Sequence, residues 1–442
     1  MMFSRRDLVK LIIPLIIEQT LAVTIGMADT IMVTTVGEAA VSGISIVDSI
    51  NILLINIFAA LATGGAIVVA QYLGKEDGPS AKTAASQLVL STTAISVVMM
   101  VGCLLGQNFL LDLVYGNVDA AVMVNARTYF FWSALSYPFL ALYNGGAALF
   151  RVMGNSKVSM FCSLLMNIIN IGGNAFLIFV MGWGVAGAAI ASLVSRAVAA
   201  LVVMALLRKE GCPLRMDSLR ALRPNLPVIK SILRLGIPNG VENSMFQIGK
   251  ILIQGVVASF GTVALAANAV ANSIGAFPNI AGGAVGLALI TVVGQCCGAG
   301  KYDEAKKYIF RLGIATYVMM GVVNMGMLLA VKPIVGIFGL APETTALTIE
   351  ILVWFFIANM VIWPMSFMLP NGLRAAGDAK FSLVVSTISM WTFRIGFSYL
   401  LGIGLGMGVN GTWFAMYADW ICRAICFAIR FASGKWQNKR VV

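Results

Sequence analysis

Pro14-Leu-Ile-Ile-Glu18 lies inside an apolar run at residues 11–33, and Pro238-Asn-Gly-Val-Glu242 lies inside another, at 231–259, 224 residues further on. The same offset carries Gly37 onto Gly261, Ile50 onto Ile274, Gln71 and Gly74 onto Gln295 and Gly298, and Ala81-Lys82 onto Ala305-Lys306. Arg151-Val-Met-Gly154-Asn-Ser-Lys157 meets Arg374-Ala-Ala-Gly377-Asp-Ala-Lys380 at an offset of 223, and Gly184-Val-Ala-Gly187 meets Gly408-Val-Asn-Gly411 at 224. Unrelated apolar helices would not hold one offset through six spans and their loops. The chain is therefore a duplication.

Each copy holds six apolar runs. The twelve fall at 11–33, 46–71, 87–107, 127–149, 159–180 and 184–207, then at 231–259, 266–295, 309–331, 347–369, 382–403 and 409–431. A bilayer core takes about 20 apolar residues per helix, and barrel strands would be short and alternating. The chain is 60% hydrophobic and 11% charged, against about 25% charged in a soluble domain. These figures predict an all-α integral membrane fold, two pseudo-symmetric six-helix lobes in a parallel repeat. Parallel follows because an even number of spans inserts both copies the same way up. The expected division is a lobe at 1–207, a cytoplasmic linker at 208–228 rich in Arg and Pro, and a lobe at 229–442.

The basic residues set the orientation. With the N-terminus in the cytoplasm, 24 of the 30 Lys and Arg fall in cytoplasmic segments, and only Arg127 and Lys332 on the outer side. That is the positive-inside bias. It accounts for the net charge of +12 without nucleic acid, for which no interleaved basic-aromatic motif exists. A multi-pass protein of the cell (inner or plasma) membrane follows, with both termini cytoplasmic. The first apolar run is too long for a cleaved signal.

Energy and chemistry are bounded by what is missing. No GxxxxGK[ST] loop is present, so uphill transport must draw on an ion gradient. One charge crossing 100 mV supplies about 2.3 kcal/mol. With no histidine and no clustered catalytic set, the chain is not read as an enzyme. Seven cysteines without paired spacing read as packing residues, and no cofactor or structural metal is expected.

Intramembrane charge is costly and marks function or a fixed pair. The acids at depth are Glu18, Asp29, Glu242 and Asp419, with Asp48 and Glu350 near span ends. Asn167, Asn170 and Asn174 share one helix face at i, i+3 and i+7, and can serve as interhelical glue. Asp419 and Arg423, at i and i+4, can bridge within one helix. With Glu242, Lys250 and Arg394 they make up the expected second-lobe charged network, read as a fixed ion-pair set, a second coupling site or an anchor for a substrate carboxylate. Glu242 and Lys250 are eight apart, too far for one bridge. Arg196 is close enough to its helix end to reach water. Pro14 and Pro238 are expected kink points of two equivalent helices. Gln19, Tyr143 and Asn144 are the candidate substrate contacts.

The chain resembles the multidrug and toxic compound extrusion (MATE) family. The carrying motifs are Met27-Ala-Asp29-Thr-Ile-Met-Val33, the Gln-x-x-Gly ends at Gln71 and Gln295, Arg151 with Gly154, Gly184-Val-Ala-Gly-Ala-Ala-Ile-Ala-Ser192, and Gly236-Ile-Pro238. The resemblance implies export of cationic or amphiphilic organic compounds against inward H⁺ or Na⁺, by a monomer in the bilayer. It implies a cation-coupling set of Asp29, Asn170, Asn174 and Ser192, in which Asn174 stands where archaeal-type and related members carry an aspartate. On that set the chain resembles the DinF-like branch more than the NorM-like one. The second-lobe acids of other members are not matched: Glu242 comes early, and Trp363 holds the tenth-span position. A lipid or lipid-linked oligosaccharide flippase of the same superfamily is the alternative.

Overall fold

The computed structural model describes residues 2–115, 119–216, 223–439 and 441–442. Arg220, Arg440 and positions 217–222 of the expected linker lie outside the described residues. Helix makes up 87% of the structure, with no strand among the described residues. The chain falls into two compact units, Phe3–Gly240 and Val241–Val441, with the extreme termini exchanged.

The first unit contains α1 (Arg5–Thr34), α2 (Glu38–Gly74), α3 (Gly78–Tyr115), α4 (Ala120–Leu135), α5 (Tyr137–Val152), α6 (Ser156–Asn174) with a π turn at Ala175–Val180, and α7 (Gly184–Arg208). α8 (Leu226–Ala258) starts in this unit and ends in the next. The second unit continues with α9 (Thr262–Gly275), α10 (Asn279–Gly298), α11 (Tyr302–Leu329), α12 (Val331–Gly336) and α13 (Pro342–Trp363). A π turn at Pro364–Met368 leads to α14 (Leu369–Ala375). α15 (Ala379–Ser389) runs into π turns at Met390–Gly396 and Ser398–Gly404, and α16 (Gly408–Ala432) closes the unit.

These helices group into the twelve expected spans. Two of the spans are broken where the sequence reads as continuous: α4 and α5 part at Ser136, and α9 and α10 part around Pro278. Among the described residues, nine helical segments are long and apolar enough to cross a bilayer. α8 and α16 are long enough but too polar, and they are the helices that carry Glu242, Lys250, Asp419 and Arg423. Many large apolar side chains are exposed, among them Val98, Leu105, Val322 and Leu329. A soluble surface would not tolerate so many; lipid does.

The repeated glycines now have a physical reason. Gly37 and Gly261 open α2 and α9 at φ of 130° and 95°. Gly154 and Gly377 turn the chain ahead of α6 and α15 at 79° and 102°. A side chain is strained at such angles.

Within the first unit α1 packs on α6, and α6 on α7. Pro14, inside α1, cannot donate to the Lys10 carbonyl. The Ser156 hydroxyl sits over this gap, donating to the Leu11 carbonyl at 2.7 Å with the Lys10 carbonyl at 3.4 Å. The second copy has Ala379 in place of Ser156, so the two prolines are held differently.

Candidate functional site

The residues of the expected coupling set come together inside the first unit. Asn174 is the last residue of α6 and directly precedes the π turn, a distortion common at functional sites. Its amide nitrogen donates to Asp29 Oδ1 at 2.6 Å and contacts Asn170 Oδ1 at 3.3 Å. The Asn170 amide nitrogen in turn donates to Ser192 Oγ on α7 at 3.0 Å. A polar chain thus links α1, α6 and α7. α6 and α7 can approach because Gly173 leaves room for the Ala191 methyl. The buried Asn174 Oδ1 finds no hydrogen-bond partner among the described residues. Asn167 is buried too, but its amide bonds the Ser163 carbonyl of its own helix, at 2.8 Å, rather than another helix.

Two charges near this chain were undervalued by sequence reading. Asp48 and Arg196 lie within electrostatic reach of Asp29. Asp48 contacts the Asn51 amide at 3.4 Å. Arg196 donates to Ser136 Oγ at 2.6 Å, at the break between α4 and α5, instead of turning to water. Tyr137 donates to Asn51 at 2.7 Å. No signal in the α2 sequence marks Asp48 as facing α1; the register of two long helices decides it.

A second polar motif is duplicated. Arg151 pairs with Glu18 at 2.7 Å, and Arg374 pairs with Glu242 at 2.7 Å. Ser159 donates to the free oxygen of Glu18, and Ser386 to Glu242, each at 2.7 Å. Tyr143, expected to contact substrate, is buried and bonded to Ser163 beside the Glu18–Arg151 pair. Gln19 and Asn144 are half-buried.

In the second unit Arg394, Asp419 and Arg423 come together, Lys250 stays outside their hydrogen bonds and ion pairs, and Glu242 takes a partner the sequence reading left out. Glu242 is bound by Arg374, not by Lys250. Ser386 then links it onward, since Arg423 donates to the Ser386 carbonyl at 3.3 Å. Arg423 Nε donates to Asp419 Oδ1 at 3.0 Å, one turn along α16, and Ser389 bonds the same oxygen. Arg394 lies 3.8 Å from Asp419 Oδ2. Trp363 stacks on Phe367 with centroids 5.1 Å apart. A cavity of about 330 Å³ opens beside Lys250 and Arg394. No cluster of three metal-ligating side chains exists among the described residues.

The site brings together one half-buried carboxylate, amide and hydroxyl oxygens, and paired charges. The profile of the MatE family matches residues 14–176 and again 238–400. The chain belongs to the MatE family. Both matches begin at the repeated prolines, at the 224-residue offset. Members of this family are transporters rather than enzymes, work with ion gradients without a cofactor, and bind small molecules within the membrane. The chain is 28% identical to an uncharacterized transporter, YisQ, of Bacillus subtilis (strain 168), over 96% of this chain and 94% of that one. It is 24% identical to a probable multidrug resistance protein, NorM, of Thermotoga maritima, over 99% and 94%. A multidrug resistance MATE family transporter in an outward-facing conformation superimposes with a TM-score of 0.91, at 19% identity, over 97% of this chain and 96% of that one. This MatE protein is a multi-pass membrane transporter of twelve spans.

Proposed function

We propose that this MatE protein is a secondary active exporter of cationic or amphiphilic small organic compounds, driven by inward H⁺ or Na⁺ and working by alternating access between lobes at 1–207 and 229–442, with 208–228 as their cytoplasmic linker. The observation that carries the reading is the Asp29–Asn174–Asn170–Ser192 chain. An intramembrane acid that spends one oxygen on an amide, beside a buried amide oxygen with no partner, is a place for a cation. Na⁺ takes oxygen ligands of this kind, and Asp29 can equally carry a proton. The same set favours the DinF-like branch.

Several family names support drug export, including the probable multidrug resistance proteins among its relatives. The distribution of Lys and Arg supports cytoplasmic termini. The duplicated fold supports a working monomer, since both lobes lie on one chain. The test is release of a fluorescent amphiphile from proteoliposomes under an imposed pH or Na⁺ gradient. Release that follows one gradient and not the other identifies the ion. Release that follows neither, across cationic, neutral and anionic probes, overturns the proposal.

A further inference from the structure

The second-lobe cavity holds more positive charge than its acids can match. It is lined by Lys250 and Gln254 of α8, Asn268 and Asn272 of α9, Arg394 from the π turn after α15, and Trp413 of α16, with no Asp or Glu in its wall among the described residues. Three cations gather around the Phe246 ring: Lys250 Nζ at 5.3 Å, the Arg394 guanidinium at 4.8 Å and that of Arg423 at 5.2 Å. One carboxylate, Asp419, faces them. Its Oδ1 is taken by Arg423 and Ser389. Glu242 is committed to Arg374.

Arg394 makes no hydrogen bond to an acid, and its nearest counter-charge is Asp419 Oδ2, which has no hydrogen-bond partner among the described residues. Arg394 is 8% exposed, and its Nε and Nη1 have no hydrogen-bond partner among the described residues. Its contact with Asp419 at 3.8 Å is beyond hydrogen-bond range. A guanidinium is charged at any physiological pH and presents a fork that fits a planar anion. Lys250 is open to the same cavity and has no hydrogen bond or ion pair among the described residues. Burying the Arg394 charge without a hydrogen-bonded counter-charge is costly, and a bound anion would remove that cost. The rest of the wall suits an organic body: Trp413 and Met416 give an apolar face. Trp413 Nε1 donates to Asn268 Oδ1 at 3.0 Å, which leaves the Asn268 nitrogen as the donor end. The volume falls at the lower limit of small-molecule sites.

We infer that this cavity binds the anionic group of a small amphiphile, with Arg394 and Lys250 as its charge partners and Trp413 against its apolar body. The inference rests on the export reading and deepens it: the substrate class is an organic acid with an aromatic or aliphatic body, not an organic cation.

Binding can be measured without transport, so the two readings fail separately. Purified full-length protein in zwitterionic nanodiscs is titrated calorimetrically with 2-naphthoate, its neutral isostere 2-naphthamide and the cation 2-naphthylmethylammonium. The carboxylate should bind at least tenfold tighter than the other two. R394Q and K250Q should each weaken it at least tenfold, R394K less than R394Q, and R127Q, which removes a cation on the outer side of the first lobe, should leave it unchanged. Should R394Q fail to fold, K250Q and R394K still decide the matter. Equal affinity for the three probes, or undiminished carboxylate binding in K250Q and R394K together, overturns the anion site while leaving the export reading to the gradient assay. Repeating the titration in nanodiscs containing phosphatidylglycerol identifies the source of the anion. Competition assigns the site to a lipid headgroup and overturns the soluble substrate; no competition supports it.

Discussion

Glu18 and Arg151 meet at 2.7 Å across 133 residues of chain, and their repeat partners Glu242 and Arg374 meet at the same distance. Both carboxylates lie one turn after a buried proline, and both arginines end the helix that precedes a glycine turn. The duplication has therefore preserved a contact as well as a sequence. In each lobe the pair ties the proline helix to the helices of the second half of that lobe.

The pairs are buried on at least the acid side, where removing one partner strands the other. Arg374→Ala should destabilise the protein by about 3–5 kcal/mol, read as a lower melting temperature in detergent. Glu242→Gln with Arg374→Ala should cost less than the sum of the two single changes. Additive costs in this double-mutant cycle would show that the contact carries no coupling.

Pro14 and Ser156 make a second prediction. With a backbone N–H restored by Pro14→Ala, the Lys10 carbonyl regains its helical partner and α1 loses its preformed irregularity. The variant should express and melt no lower than wild type, yet lose at least tenfold in gradient-driven export. Full export from a folded Pro14→Ala protein would count against a role for this helix in the transport cycle. Pro238→Ala, with no serine at position 379, should be the less informative of the pair.

Outside the membrane, Asp77 holds the start of α3 by accepting from the Ser80 backbone N–H at 3.1 Å. This bond and that of the Ser80 side chain hold its carboxyl below the ordinary value of 3.8. A depressed value means that the stabilisation is present above the unfolded range and fades as pH falls through the folded one. Asp77→Ala should lower the melting temperature at pH 7, and the gap to wild type should close on acidification towards pH 3. A gap independent of pH would mean that the charge is not what caps the helix.

The polar chain of the first lobe predicts a gradient of effects. Asn174→Ala removes the bond to Asp29 and the orphan oxygen together, and should cut coupled export at least tenfold. Ser192→Ala, at the far end of the chain, should cut it less. A larger loss from Ser192→Ala than from Asn174→Ala would place the ion elsewhere.

Span count, duplication and the face shared by Asn170 and Asn174 could be read from the sequence, because period and offset are properties of one dimension. Pairings between helices could not. Glu242 could be compared only with Lys250 on its own helix, whereas its partner Arg374 lies 132 residues away. Arg196 looked free to reach water until the break at Ser136 supplied a hydroxyl. The position of Arg394 depends on the π turn that follows α15, and no residue pattern announces such a turn. Where helices distort, spacing no longer tells which side chains meet.

The central claim is that Asp29 couples export to an ion gradient. It is tested most directly by efflux of a fluorescent amphiphile from proteoliposomes, with wild type and Asp29→Asn compared under the gradient that drives the wild type. The account predicts that the folded variant still binds the probe but shows no gradient-driven efflux. Coupled efflux at the wild-type rate from Asp29→Asn would contradict it and move the ion site to Asp48 or to the second lobe.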